Sequence, residues 1–481
     1  MAPLVPLAVL AAALAAFAGA YEWSTLPLTG LTLIAALAVG RRAFALPRAT
    51  RLADLALAGA VAVVALQLVP LPPEFTARLS PRLARVAAAL RVGPAPATAE
   101  WRPLTLDAAA TRQALLVLAS TILVFFTTRA ALESGGIRRL CRGLAGLGAV
   151  LAIAAVIQRA ATPGLVFGFW APLDPGARPF GPFVNRNHFA AWMLLAVPVV
   201  AGYLVAHIRI HLADARTWRD RVHLFAASGG PLLAAAVMAM GLALLATLSR
   251  SALLGLGAAA VAAWLLSRGR RARNQPGAGT VLAVAGAALV VLLAFVDVDA
   301  WATRFDATLA SSPTDRAAVW RESMPVVADF PIAGTGAGTY GFAMLVYQQS
   351  DRHAYFNQAH SHYLQVAVEG GALLLLCLML GLAGLARAGR HALASDRSEV
   401  FWIRVGAAGS LVGIAVQSIW ETALRMPADA YLCAVVAALL LHTRTNGGQG
   451  YEPSPAGGSN RRGDDGSGRR HRRGPRASRR R

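Results

Sequence analysis

Residues with chemistry to offer are sparse in this chain, and they gather in short stretches between long apolar runs. In Arg178–Ala190, proline and glycine keep the backbone from regular helix until about Asn187, whose side chain could cap the helix that follows. The amides of Asn185 and Asn187, with Arg186 between them, could equally hold a sugar hydroxyl or a phosphate. Arg250 occupies a tight turn, Leu248–Ala252, between two apolar helices, and no acid neighbours it in sequence. Either it snorkels to nearby water or it is a cation placed for an anion. Asp315–Arg321 begins a short amphipathic helix with Trp320, Met324 and Val327 on one face, and Pro325 should kink or end it.

A glycine-rich turn follows at Pro331–Gly341. Residues 336–341 fit the pattern G-x-G-x-x-G, but no βαβ unit surrounds them, so a dinucleotide site is not expected. Backbone N–H groups of such a turn can still face a phosphate. Asp297-Val298-Asp299 imitates a metal-binding D-x-D but reads better as the boundary of an apolar run. The last stretch is Gln358–Gly371, with His360, His362, Tyr363 and Glu369. His362, Val366 and Glu369 share one helical face, while His360 precedes the regular helix. A metal site from His353, His360 and His362 lacks a well-spaced third ligand. Capping, packing, ligand binding and proton transfer remain for these rings, since histidine titrates near neutrality.

The elements that must position these residues are membrane helices. Of 481 residues, 56% are apolar and 15% charged, and the mean hydropathy is +0.52. That excludes a soluble multidomain enzyme and a disordered chain. Runs able to cross about 30 Å of hydrocarbon lie near 3–20, 26–40, 52–72, 109–128, 140–158, 187–208, 231–248, 252–266, 279–296, 363–386, 401–420 and 428–442. The expectation is an all-α, polytopic bundle of about twelve spans. The run 3–20 has no basic n-region and reads as a first span rather than a signal peptide. Cys141, Cys377 and Cys433 have no paired spacing, so neither a disulfide framework nor a metal site is expected.

The formal charge is +22, carried without any lysine. Arginines concentrate in alternate connections, at 41–51, 129–142, 209–221, 268–273 and 387–404, and in the tail 443–481. By the positive-inside rule these are cytoplasmic, as are both termini. The two longest loops, 73–108 and 297–358, then fall outside, together with most of the polar stretches. The membrane domain is expected to span 1–442, and the Gly-, Ser- and Arg-rich tail to be disordered. The tail could touch anionic lipid or nucleic acid, or serve only as a topology anchor.

The Asn185/Asn187 segment, Ser249-Arg250, Arg316 with Trp320, the turn 331–338 and His360…Tyr363-Leu364-Gln365…Glu369-Gly370 resemble, in this order, the O-antigen ligase and polymerase family of bacterial membrane glycosyltransferases. The resemblance covers about 180–375. The family often has His-Asn before its tyrosine, where this chain has His360-Ser361-His362; His360 is the aligned ring.

The resemblance implies a C-type glycosyltransferase fold with an outer cavity closed by the long loop 297–358. It implies an undecaprenyl-pyrophosphate-linked glycan as donor, with a glycan, lipid A–core or a protein as acceptor. Membrane lipids would surround the chain, with no nucleic acid, no cofactor and no metal. Arg250 and Arg316 would stabilise the leaving pyrophosphate, and His360 would take the acceptor's proton. Glu369 would orient a histidine, and Asn185, Arg186, Asn187, His362 and Trp320 would help bind substrate. The enzyme would act on the periplasmic side of the inner membrane. A transporter or flippase is the alternative; it would carry polar residues through several mid-membrane spans and show repeat symmetry.

Overall fold

The computed structural model describes residues 4–40, 49–91, 101–133, 135–174, 176–268, 314–350 and 355–442. The span expected at 279–296, Asp297–Asp299, His353 and the tail 443–481 lie outside them. The described helices are α1 (Val5–Ala15), α2 (Thr25–Val39), α3 (Arg51–Leu66), α4 (Pro73–Leu79), α5 (Leu83–Ala89), α6 (Ala108–Glu133), α7 (Ile137–Ala161) and α8 (Arg186–His211). After them come α9 (Trp218–Ala227), α10 (Gly230–Ala246), α11 (Arg250–Ser267), α12 (Thr314–Asp329), α13 (Tyr340–Tyr347), α14 (His362–Ser395), α15 (Val400–Gln417) and α16 (Pro427–Leu441). Among the described residues, β-structure is limited to isolated bridges.

This is an all-helical, polytopic membrane protein. Seven described helices are long and apolar enough to cross a bilayer, or eight if α9 and α10, bent by 76°, form one broken span. Twelve runs were expected, and the difference has local causes. The run 3–20 yields only the 11 residues of α1, because Phe17 and Ala18 take positive φ and end the helix. The run at 52–72 shortens to a helix of 16 residues, and that at 428–442 forms one of 15, each short of a full span.

The core lies around α8, α15 and α16. Phe189 to Ala196 of α8 are fully buried, as are Leu432, Val435, Val436, Ala438 and Leu439 of α16. Small residues let the helices close up, as expected where lipid removes any hydrophobic drive between them. At Gly406 of α15 a Cβ would overlap the carbonyl of Pro198 in α8. Ser410 Oγ donates to Leu195 O across the same contact at 2.7 Å.

A second apolar cluster covers one end of the bundle, and it joins the two segments expected to be long loops. Leu83 and Val86 of α5 pack there with Val319 and Val326 of α12, with Phe330 just after it, and with Tyr340 and Met344 of α13. Arg82 Nε lies 3.5 Å from Asp329 Oδ1, whose other oxygen accepts from Tyr347 OH at 2.6 Å. Within α12 the buried stripe is Val319, Ser323 and Val326, leading to Phe330. Met324 is exposed, contrary to the face expected for it. The helix also runs through Pro325 to Asp329 instead of ending there.

α14 is 34 residues long, about 51 Å at 1.5 Å per residue, but it is broken at Gly371, where φ is +55° and ψ is −157°. The break frees main-chain groups for the glycine-rich turn. Ala372 N and Leu373 N donate to Pro331 O and Ile332 O, while Thr335 N and Gly336 N donate to Val368 O and Glu369 O. A Cβ at Gly371 would overlap the Ile332 carbonyl. The pair Gly370-Gly371 therefore splices the turn into a membrane helix.

Candidate functional site

α15 organises the polar end of the bundle. It runs antiparallel to α8, with Gln417 Nε2 donating to Asn187 O at 3.3 Å. It also runs antiparallel to α11, since Gly255 lies against the Gly413 carbonyl and Gly409 against that of Ala259. Arg250, more than a turn before Gly255, is thus level with the last turn of α15. α14 joins the same end, because His362 N donates to Ser418 O and Tyr363 OH to Ala415 O, each at 2.8 Å. The connections that follow α8 and α14, rich in arginine, lie at the opposite end, where Arg404 of α15 holds Asp396 and the His442 carbonyl.

The link from the outer helix α12 to this end is Glu421. Its Oε1 accepts from Arg316 Nη2 at 2.9 Å and from Asn187 Nδ2 at 2.8 Å. The Glu421 side chain is only 3% exposed, whereas that of Arg316 is 43% exposed. Arg316 thus keeps donors available to the accessible side. Burial pushes the Glu421 carboxyl up to about 7, although Arg316, Asn187 and Arg186 all pull it down. Desolvation outweighs three favourable neighbours.

Sequence reasoning missed Glu421 and Arg425. Both sit between two apolar runs, in what reads as a plain connection. The available signal was an acid and an arginine four residues apart in the connection between α15 and α16.

Asn185, not Asn187, caps α8: its Oδ1 accepts from Asn187 N at 2.9 Å. That corrects the expected cap and leaves the Asn187 side chain for Glu421. Arg186 is the first residue of α8 and is half-buried. Arg250 is the first residue of α11 and exposed, following Leu248 at φ +54°.

His360 sits in a strained turn, with φ +48°. Such a conformation is uncommon for a side chain other than glycine, asparagine or aspartate and must be held by its surroundings. Trp320 Nε1 donates to Ala359 O, and Ala359 N donates to Gln365 Oε1, both at 2.8 Å. Ser361 then caps α14, its Oγ accepting from Leu364 N at 3.4 Å. Burial, and then the charge of Arg316, push the His360 ring below the ordinary histidine value. Trp320 thus spends its indole N–H on this turn.

His362 begins α14, and its buried Nδ1 has no hydrogen-bond partner among the described residues; the same holds for His188 Nε2 in α8. Arg425 lies within electrostatic reach of both rings.

Glu369 occupies a different place from the one expected. Its Oε2 accepts from Gly338 N at 2.9 Å, and its Oε1 from Gln365 Nε2 at 2.6 Å and Tyr340 N at 3.3 Å. Its partners are the glycine-rich turn and a neighbouring amide, and no histidine is among them. The backbone N–H of Gly338 is therefore already engaged with a carboxylate.

Residues 235–379 match the family model described as O-antigen ligase. The chain carries an O-antigen ligase domain. No curated protein matches the chain. The O-antigen ligase domain supplies Arg250, Arg316, Trp320, His360, His362 and Glu369. Asn185, Arg186, Asn187, Glu421 and Arg425 lie outside the matched segment, and Glu421 ties the two sets together.

Proposed function

We propose that the protein is an inner-membrane glycosyltransferase of the O-antigen ligase or polysaccharide polymerase type. It transfers or polymerises an undecaprenyl-pyrophosphate-linked glycan onto a hydroxyl of a glycan, lipid A–core or protein, on the periplasmic side. The observation that carries this reading is the meeting of Arg316 and His360 at the bundle end opposite the arginine-rich connections. By the positive-inside rule the arginine-rich end is cytoplasmic, as are both termini, and the Arg316/His360 end is periplasmic. The catalytic region is 180–375 within a membrane domain of 1–442, and the tail 443–481 is a cytoplasmic appendage.

In the reaction, the acceptor oxygen attacks sugar C1 as the bond from C1 to the pyrophosphate oxygen breaks. A single displacement inverts the anomeric centre. Negative charge grows on the departing pyrophosphate, and Arg250 and Arg316 stabilise it with charge-assisted, fork-like hydrogen bonds. His360 accepts the hydroxyl proton and returns it to water. Its lowered basicity keeps it neutral, and so ready to accept, at ordinary pH. Asn185, Arg186, Asn187 and His362 line the approach for sugar and phosphate. Arginines here take the charge that a metal ion would take elsewhere, so chelators leave turnover intact.

The glycan phenotype of a deletion strain tests the reading and divides it. Accumulated lipid-linked polymer identifies a ligase, and accumulated single units identify a polymerase. Donor trapped intact on the cytoplasmic face would identify a flippase instead.

A further inference from the structure

Glu421 lies outside the segment that matches the ligase family, yet its carboxylate bonds both Arg316 of that segment and Asn187 at the start of α8. A buried carboxylate in a membrane protein is expensive, and such groups are retained for a role. One role is fixing the direction of a guanidinium. Arg316 has five N–H donors in a planar fork, and Glu421 takes Nη2 from the buried side. The Arg316 side chain as a whole stays 43% exposed, although its partner carboxylate is buried.

We propose that Glu421 is a positioning residue: it clamps Arg316 and Asn187 on one oxygen, so that the free edge of the guanidinium faces the charge that develops on the leaving pyrophosphate. The inference rests on the function proposed above. The clamp has a definite electrostatic signature, because a carboxylate beside Arg316 also repels the pyrophosphate already present in the bound donor. Removing its charge therefore helps, or at least does not harm, ground-state binding. The orientation needed when the bond breaks is lost. Binding and turnover then move apart, whereas simple structural damage lowers both.

The clamp also titrates. Only the ionised carboxylate holds Arg316 as an ion pair, and its ionised fraction falls as pH drops through about 7. The charged groups acting on it are Arg316 on α12 and Arg186 on α8. His360, before α14, lies within electrostatic reach of Arg316 and of His188 on α8, and Arg425, after α15, within reach of His188 and His362. Among these rings, His360 loses its proton below the ordinary histidine value, so its effect on rate is displaced to more acidic pH than that of Glu421.

The test compares the full-length native protein, Glu421→Gln, Arg316→Ala and the double variant in detergent. Binding is read with undecaprenyl pyrophosphate. Turnover is read with the lipid-linked glycan extracted from the deletion strain. The expected result is that Glu421→Gln binds undecaprenyl pyrophosphate at least as tightly as the native protein but turns over about tenfold to hundredfold more slowly, the scale of a small misplacement of a reacting group. Its rate should no longer rise through the pH window where Glu421 ionises, and the double variant should be no slower than Arg316→Ala alone. Native turnover and an unchanged pH profile in Glu421→Gln, with Arg316→Ala impaired, would overturn the clamp alone. Full activity of Arg316→Ala would remove the phosphate role, and the clamp with it. If Glu421→Gln fails to fold, the native pH profile still decides: no rise in rate near the Glu421 titration overturns the inference.

Discussion

Gln67 and Glu369 lock the end of α3 to the break in α14. Gln67 Nε2 donates to Glu369 O at 2.8 Å and to Ala333 O at 2.7 Å, while its Oε1 accepts from Ala337 N at 3.0 Å. A single buried amide thereby satisfies two main-chain groups of the glycine-rich turn and one of α14. With the Glu369 carboxylate holding Gly338 N and Tyr340 N, the turn is pinned from both sides. Glu369→Ala should leave the buried Tyr340 N–H and the half-buried Gly338 N–H without this acceptor, at up to about 1–3 kcal/mol each. The thermal midpoint in detergent should fall accordingly, with Glu369→Gln milder. A native midpoint combined with lost turnover would return Glu369 to a chemical role.

The arginines should be sensitive in rate rather than in folding. Arg250→Ala and Arg316→Ala should each remove about 2–4 kcal/mol of transition-state stabilisation, roughly 10²–10³ in rate. Lysine should restore only part of it, because an ammonium lacks the planar fork. Initial rates at matched protein levels provide the check. Two fully active alanine variants would exclude the pyrophosphate contact.

For the two histidines, His360→Ala should lose about 10²–10⁴ in rate, the usual scale for a general base, while still binding lipid-linked donor. His362→Ala should be much milder. Activity should also fall with acid as His360 gains its proton, at a pH below the ordinary histidine value. Rate against pH in reconstituted liposomes reads both effects. A severe His362→Ala beside a near-native His360→Ala would move the base into the first turn of α14.

Much of this arrangement is legible in the sequence, because a polar group inside apolar runs stands out. Asn185–Asn187, Arg250, His360 and His362 stand out on that ground, and the helices bring their backbones to one end of the bundle. Glu421 escaped notice because a short connection between two apolar runs is expected to be polar, and its partner Arg316 is 105 positions away. Local patterns carry no information about such a pairing. The break at Gly371 was hidden for the opposite reason. Its flanking residues keep a helical apolar pattern, and only the turn 331–336 threading past it explains the positive φ. Similarly α4 and α5 read as loop, because their few apolar residues make sense only against α12 and α13.

Topology is open to a direct check. A reporter joined after Arg444 should report cytoplasm, and one inserted near Ser311 should report periplasm. Both on the same side would place the His360 end of the bundle on the wrong face for a lipid-linked glycan presented to the periplasm.

The most direct measurement is glycosyl transfer by the purified protein in liposomes, with a chelator present, an undecaprenyl-pyrophosphate-linked glycan as donor and a hydroxyl acceptor. The expected result is free undecaprenyl pyrophosphate in step with a new glycosidic bond of inverted configuration, lost in His360→Ala and Arg316→Ala. Donor that crosses the bilayer but stays intact, equally in the native protein and both variants, would contradict it.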